Sequence, residues 1–212
     1  MSTFMPYTRL MTTAYHHTNL RASLLAEGRR LLLAEGYAHF SLRKLASVLG
    51  VSHNAPYRHF ASREEFIKAI VEEDAARFDA ALAAGVEGIG DAAERLYRLG
   101  DAYVFFFLDN PEVLLLFEIL PGQVALRGEV LASLFSKPAP CAHREGAMDG
   151  YELLTDAAQP FAGRFPGLEK HEIALGYWAK VHGLASLLVA KRGLLPEESL
   201  RDRVRMLVRT PF

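Results

Sequence analysis

The sequence predicts an all-α protein in two parts, a three-helix N-terminal unit and a larger helical unit behind it. Three observations carry this. Apolar residues recur at helical spacing over most of the 212 residues, as they do when one stripe of each helix faces a core. No stretch alternates with period two for long enough to form a half-buried strand. Glycine and proline fall between the periodic stretches, at Gly36, Gly50, Asn110-Pro111, Gly163 to Pro166 and Gly193 to Pro196, where helices end. Half the residues are hydrophobic, with 13 Phe and 8 Tyr, enough apolar material for ordered cores.

The elements follow in order. Residues 1–18 lack periodicity and are expected to form a frayed arm. A first helix runs from Leu20 to Glu35 with Leu20, Leu24, Gly28, Leu31 and Leu32 on one face. A helical glycine costs about 1 kcal/mol relative to alanine, so Gly28 is expected where a neighbouring helix comes close. Leu42, Leu45, Ala46 and Leu49 form the buried stripe of a second helix, and Gly50 stands where the chain must turn with positive φ. Ser52 is the candidate N-cap of a third helix carrying His53, Asn54, Tyr57, Arg58 and His59. Pro56 conflicts with that start, because it cannot donate to the Ser52 carbonyl and biases Ala55 away from the α region.

A fourth helix begins near Ser62 with Glu64 and Glu65 in its first turn, where the helix dipole favours acids. Its stripe of Ile67, Ile70, Val71, Phe78 and Leu82 carries it to about Ala84, long enough to join two domains, 19–66 and 67–212. Ala92, Leu96, Leu99, Tyr103 and Phe106 mark the next helix, and Pro111 opens a short one to Leu120. Further helices are expected over Val124 to Phe135, Arg144 to Phe161, Glu169 to Arg192 and Glu197 to about Val208, with a loop from Lys137 to Cys141.

A helix, a glycine turn and a polar, basic, aromatic second helix make the helix-turn-helix pattern that presents side chains to a DNA major groove. Charge fits this use. Residues 1–70 hold nine Lys and Arg against four Asp and Glu, whereas residues 71–212 hold 15 against 21, within a net charge of −1. A basic domain on an acidic body suits contact with nucleic acid at one end.

Residues 20–70 resemble the N-terminal domain of the TetR/AcrR family of transcriptional regulators. The matching residues are Gly36-Tyr37, Ser41, Leu45-Ala46, Gly50-Val51-Ser52, Tyr57, His59-Phe60 and Arg63-Glu64-Glu65-Phe66. Asn54 and Pro56 depart from many members, and Arg63 replaces the usual Lys. The resemblance implies a double-stranded DNA operator as partner. It assigns His53 and Asn54 to base edges, with Arg43 and Arg58 as further contacts. Tyr57, His59 and Arg63 are assigned to phosphates, and Ser41 and Ser52 complete the DNA-facing set.

Behind this domain, Gly176, Ala179, Gly183, Ser186 and Ala190 recur at heptad spacing, a small-residue seam that lets another helix approach closely. With Leu200, Val204 and Leu207 of the last helix it is expected to form a homodimer interface. On the opposite side, Trp178, His182, Ala185 and Val189 are expected to face the subunit interior. Trp178, His182 and Gly183 also resemble the Trp-His-Gly signature of one C-terminal type in the same family, which implies a helical ligand-binding and dimerisation domain.

Nothing in the chain has the spacing of a catalytic set, a metal site or a phosphate loop. The reading is therefore a non-enzymatic regulator with no cofactor and no metal. Aromatic residues crowd the second domain instead, and Tyr103, Phe106, Phe107, Phe117, Tyr151, Trp178 and His182 are the candidates to line a pocket for a small apolar effector. The most economical function is a dimeric repressor released from its operator by that effector. The rival is a helical binding protein or enzyme that uses the C-terminal cavity and retains a vestigial helix-turn-helix. Cys141 alone permits no intramolecular disulfide, and the longest apolar run, Ala102 to Leu108, is too short to span a bilayer. A cytoplasmic protein that uses no membrane is expected.

Overall fold

The computed structural model describes residues 20–119, 150–191 and 193–210, and all regular structure among them is helical. The expected arm at 1–18, the helix over Val124 to Phe135, and the loop containing Cys141 lie outside the described residues. The main helices are α1 (Leu20–Glu35), α2 (Leu42–Val48), α3 (Arg63–Val86), α4 (Ala92–Asp109), α5 (Pro111–Ile119), α6 (Gly150–Ala158), α7 (Lys170–Ala190) and α8 (Leu200–Arg209).

Local chemistry fixes the boundaries. Ser41 Oγ accepts from the Lys44 amide at 3.2 Å, and Ser62 Oγ accepts from the Glu65 amide at 3.1 Å. Each satisfies one of the orphan amides at a helix start. Asp91 does the same for α4 at 2.7 Å, and Glu169 and Glu172 form a reciprocal capping box on α7. The end of α2 is a Schellman turn: Gly50 has φ 67°, its amide bonds the Ser47 carbonyl, and the Val51 amide bonds the Ala46 carbonyl at 3.0 Å. The helix expected over Arg144 to Phe161 tightens into a 3-10 turn at Gln159–Arg164, where Pro160 withdraws an amide from the α pattern.

Two hydrophobic cores result. The N-terminal one joins Leu24, Leu25, Leu31, Leu32, Phe40, Leu42, Leu45, Phe60, Phe66, Ile67, Ile70 and Val71. Gly28 faces Phe66 there: a Cβ on Gly28 would collide with the Phe66 ring, so the glycine serves the close approach expected of it. The larger core gathers Phe78, Leu82, Leu99, Tyr103, Val104, Phe106 and Phe107 with Leu153, Tyr177, Val181, Val204 and Val208.

Two elements belong to both cores. Helix α3 supplies Phe66, Ile67 and Ile70 to the first and Phe78 and Leu82 to the second. Helix α5 places Val113 and Leu114 in the second and Leu116 in the first. An ionic hub ties the same junction. Arg29 of α1 forks onto Asp74 of α3 at 3.0 and 3.1 Å and reaches Glu73 at 2.9 Å. Arg77 bonds both Asp74 and Asn110, the residue between α4 and α5. Asp74 is only 1% exposed, and burial pushes its carboxyl above the ordinary carboxylate range against the pull of Arg29.

Candidate nucleic-acid interface and effector cavity

The segment after Gly50 is shorter than the recognition helix expected from sequence. It makes a bend stabilised by the Ala55 amide on the Ser52 carbonyl at 2.9 Å, followed by a single 3-10 turn at Pro56–Arg58. Pro56 is the cause, since it has no amide to propagate an α-helix from Ser52. Ser52 makes no side-chain cap; its carbonyl carries the turn.

This compact turn leaves one polar surface. Arg43, His53, Asn54, Tyr57, Arg58 and His59 are all exposed, while Pro56 and Phe60 between them are buried. Tyr57 is 46% exposed, more than an aromatic residue needs for folding alone. The His53 ring is held: its Nε2 lies 3.1 Å from Ser47 Oγ on α2, and Ser47 Oγ donates to the Arg43 carbonyl at 3.1 Å.

Two residues of the expected DNA-facing set also make contacts within the domain. Arg63 is drawn inward, its guanidinium 3.8 Å over the Tyr37 ring with Nη1 donating to the Phe40 carbonyl. That stacking draws its charge away from the exposed set. The Ser41 hydroxyl is engaged in capping α2.

The aromatic domain contains a narrow cavity between α3, α4, α6 and α7. Phe78, Leu82, Leu99, Gly100, Tyr103, Leu154, Tyr177, Trp178 and Val181 line it. Its free volume, about 20 Å³, holds roughly one water, far below the few hundred Å³ of a drug-sized site. Tyr103 and Trp178 reach it as expected. Phe106 and Phe107 do not; they pack edge-on around Phe78 and Tyr103 in the core. The side chains of Phe117 and Tyr151 lie outside the described residues. Phe78, Leu82, Tyr177 and Val181 were not assigned to the cavity from sequence, although the four-residue spacing of each pair is a shared-face signal.

The polar candidates form one cluster. Trp178 Nε1 donates to Tyr103 Oη at 3.2 Å, and the same hydroxyl is hydrogen-bonded to His182 Nδ1 at 2.8 Å. The Trp178 and His182 rings stack at 5.0 Å. Burial pushes the Tyr103 hydroxyl well above its ordinary value, so it stays protonated. Among the described residues no three His, Cys, Asp or Glu side chains converge as a metal site requires.

The small-residue seam faces outward. Gly176, Ala179 and Ala190 are exposed and Gly183 and Ser186 half-buried, and among the described residues nothing beyond the helix's own nearby backbone lies within 4 Å of where a Cβ would sit on Gly176 or Gly183. Leu187 beside it is 56% exposed and Leu207 of α8 is 37% exposed. Val204 departs from expectation: it is fully buried in the subunit core with Val208, and Leu200 packs partly against that core. The alternation on α8 runs one step round the helix from the assignment, leaving Leu207 and Met206 outermost. On α7 the interior face centres on Tyr177, Val181, Ala185 and Leu188, with Trp178 and His182 on its flank. Among the described residues α7 is also the helix long and apolar enough to cross a membrane by composition; one apolar face in the core and one of small residues outside account for that.

A first helix packed on a glycine-turned α2, and an exposed polar turn, carried on a helical body, define a helix-turn-helix regulator. Residues 24–70 match the family model described as bacterial regulatory proteins, tetR family. Over 60 residues, 28% of the chain, the sequence is 37% identical to the transcriptional repressor AcnR of Corynebacterium glutamicum, and the match spans 32% of that relative's length. Across 93% of the chain it is similar to a solved Rhodococcus protein of unknown function, at 30% identity and a TM-score of 0.61, covering 97% of that chain. A tetR-family regulatory protein from Rhodococcus shares the fold at 19% identity and a TM-score of 0.64, over 91% of this chain and 96% of its own. Residues 24–70 therefore form the DNA-binding domain of the tetR family of transcriptional regulators.

Proposed function

We propose that the protein is a homodimeric repressor that grips operator DNA through the exposed turn after Gly50 and lets go when a small apolar effector enters the aromatic domain. The observation that carries this reading is α3. One continuous helix of 24 residues, about 36 Å at 1.5 Å per residue, packs under the polar turn at Phe66 and lines the cavity at Phe78 and Leu82.

The exposed polar turn and the outward seam support a division of labour. Arg43 and Arg58 are fixed cations for phosphate or guanine, and Asn54 is suited to adenine. Tyr57 and His59 add contacts that set register. The outward seam of α7 with Leu207 is the face for a second copy, which places two turns on one duplex. Because the cavity has room for little more than a water, an effector must spread α3, α4, α6 and α7 apart. Displacement at Phe78 and Leu82 is carried by α3, and displacement of α4 is carried through Asn110 and α5 to Leu116. The Arg29–Asp74–Arg77 hub makes both movements felt by α1. A cytoplasmic setting without catalytic activity belongs to the same reading.

An effector shifts such an equilibrium only by its preference for the spread arrangement, typically about 1–3 kcal/mol, or roughly 5- to 150-fold in DNA affinity. Recovering the genomic fragments the protein retains, then screening apolar compounds for release, supplies both ligands. Trp178 is the single tryptophan and lines the cavity, so its fluorescence reports effector binding. Saturating operator is expected to weaken effector binding by the same factor that effector weakens operator binding. Equal effector affinities with and without operator contradict release by this route.

A further inference from the structure

We infer that Ser47 is a positioning residue that fixes His53 as a base reader, presenting Nδ1 as a hydrogen-bond acceptor to an amino-bearing base, adenine or cytosine; this rests on the DNA-binding reading above. Ser47 Oγ stands 3.1 Å from the Arg43 carbonyl oxygen and 3.1 Å from His53 Nε2. A carbonyl oxygen brings no proton, so two oxygens at that distance attract only when the serine proton lies between them. Back-bonding of this kind to the carbonyl four residues earlier is an ordinary habit of helical serine. A hydroxyl has one proton, and the Arg43 carbonyl uses it. What Ser47 offers the imidazole is therefore a lone pair, and Nε2 must carry the hydrogen.

In a neutral imidazole a protonated Nε2 leaves Nδ1 as an acceptor. The ring cannot flip to exchange the two nitrogens without breaking the Ser47 bond. No other bond to the ring is present among the described residues, and His53 is exposed on the same surface as Arg43, Asn54 and Arg58. The two arginines are pure donors, suited to guanine and phosphate. A fixed acceptor adds what they lack. In the major groove the amino groups of adenine and cytosine are donors, whereas the exposed oxygens of guanine and thymine are acceptors. His53 thus separates amino-bearing from keto-bearing bases on the strand it faces, and it does so because a residue on α2 has set its tautomer.

The test uses the full-length protein and a duplex recovered from a random library, with each base pair replaced in turn. Wild type is expected to show one position at which A or C on one strand binds roughly five- to tenfold better than G or T, the worth of about one hydrogen bond. His53→Ala and Ser47→Ala are both expected to flatten that position and no other, and Ser47→Thr, which keeps the hydroxyl, to retain it. Ser47 is exposed on α2, and an unchanged melting temperature would establish that Ser47→Ala folds. The inference is overturned if Ser47→Ala keeps the wild-type preference, if it weakens every duplex equally, or if the His53 position prefers G or T. Failure of wild type to prefer any duplex over scrambled DNA instead removes the DNA-binding reading beneath it.

Discussion

Gly183→Leu separates the face of α7 that builds the subunit from the face proposed to join two subunits. Among the described residues nothing beyond the helix's own nearby backbone lies within 4 Å of a Cβ at Gly183, so the larger side chain has space and the fold should melt at nearly the wild-type temperature. Against a second copy the same side chain stands between helices brought together by Gly176, Ala179 and Gly183. Overpacking of a close contact costs about 1–3 kcal/mol. A two-fold interface meets the substitution twice, giving about 2–6 kcal/mol, and at about 1.4 kcal/mol per decade the dimer weakens roughly 30-fold to more than 10,000-fold. Sedimentation at low micromolar concentration should then show a folded monomer. Gly100→Ala is the opposite control. Its Cβ would sit 2.8 Å from Val208 Cγ1 and collide with the Tyr177 hydroxyl, so it should lower the melting temperature rather than dissociate the dimer. A Gly183→Leu protein that stays dimeric refutes the assignment of the seam.

Two further outcomes follow from the polar turn and the ionic hub. Tyr57→Ala should weaken binding to all duplexes about equally, whereas Asn54→Ala should relax preference at a single base pair; titrations against operator and scrambled duplexes distinguish these effects. Asp74→Asn bears on pH. Burial raises the Asp74 carboxyl in the folded chain, so folding is favoured by this group when it is protonated, below about pH 4, and that advantage is lost as pH rises through the folded value. Wild-type stability measured relative to the variant should therefore decline between about pH 4 and pH 7. A difference that grows with pH over that range contradicts the cause given.

What the sequence made legible was local. Ser62 as a helix start, Gly50 as a turn and Gly28 as a close approach each depend on neighbours or on a residue type with one physical use. The helical periods were readable for the same reason. The misplaced assignments depend on partners distant in the chain. Arg63 is assigned to phosphate by resemblance, and its stacking on Tyr37 and bond to the Phe40 carbonyl could not be read from its neighbours. Val204 shares a stripe with Leu200 and Leu207, but the packing of α8 on α4 and α7 turns it inward. The cavity was harder still. Aromatic composition marked the domain, but Phe106 and Phe107 serve its core while Leu82, Leu154 and Val181 form its walls. Only the shortened recognition segment could have been read locally, since Pro56 already opposed an α-helix starting at Ser52.

The account stands most directly on selection of duplexes from a random-sequence library by the purified protein. A dimer presenting two turns related by a two-fold axis should enrich an inverted repeat with half-site centres about 34–36 Å apart, or a multiple of that spacing, and Gly183→Leu should lose that enrichment. A library that returns no common sequence, or one that returns a lone half-site bound equally well by wild type and Gly183→Leu, contradicts a dimeric regulator reading DNA through this turn.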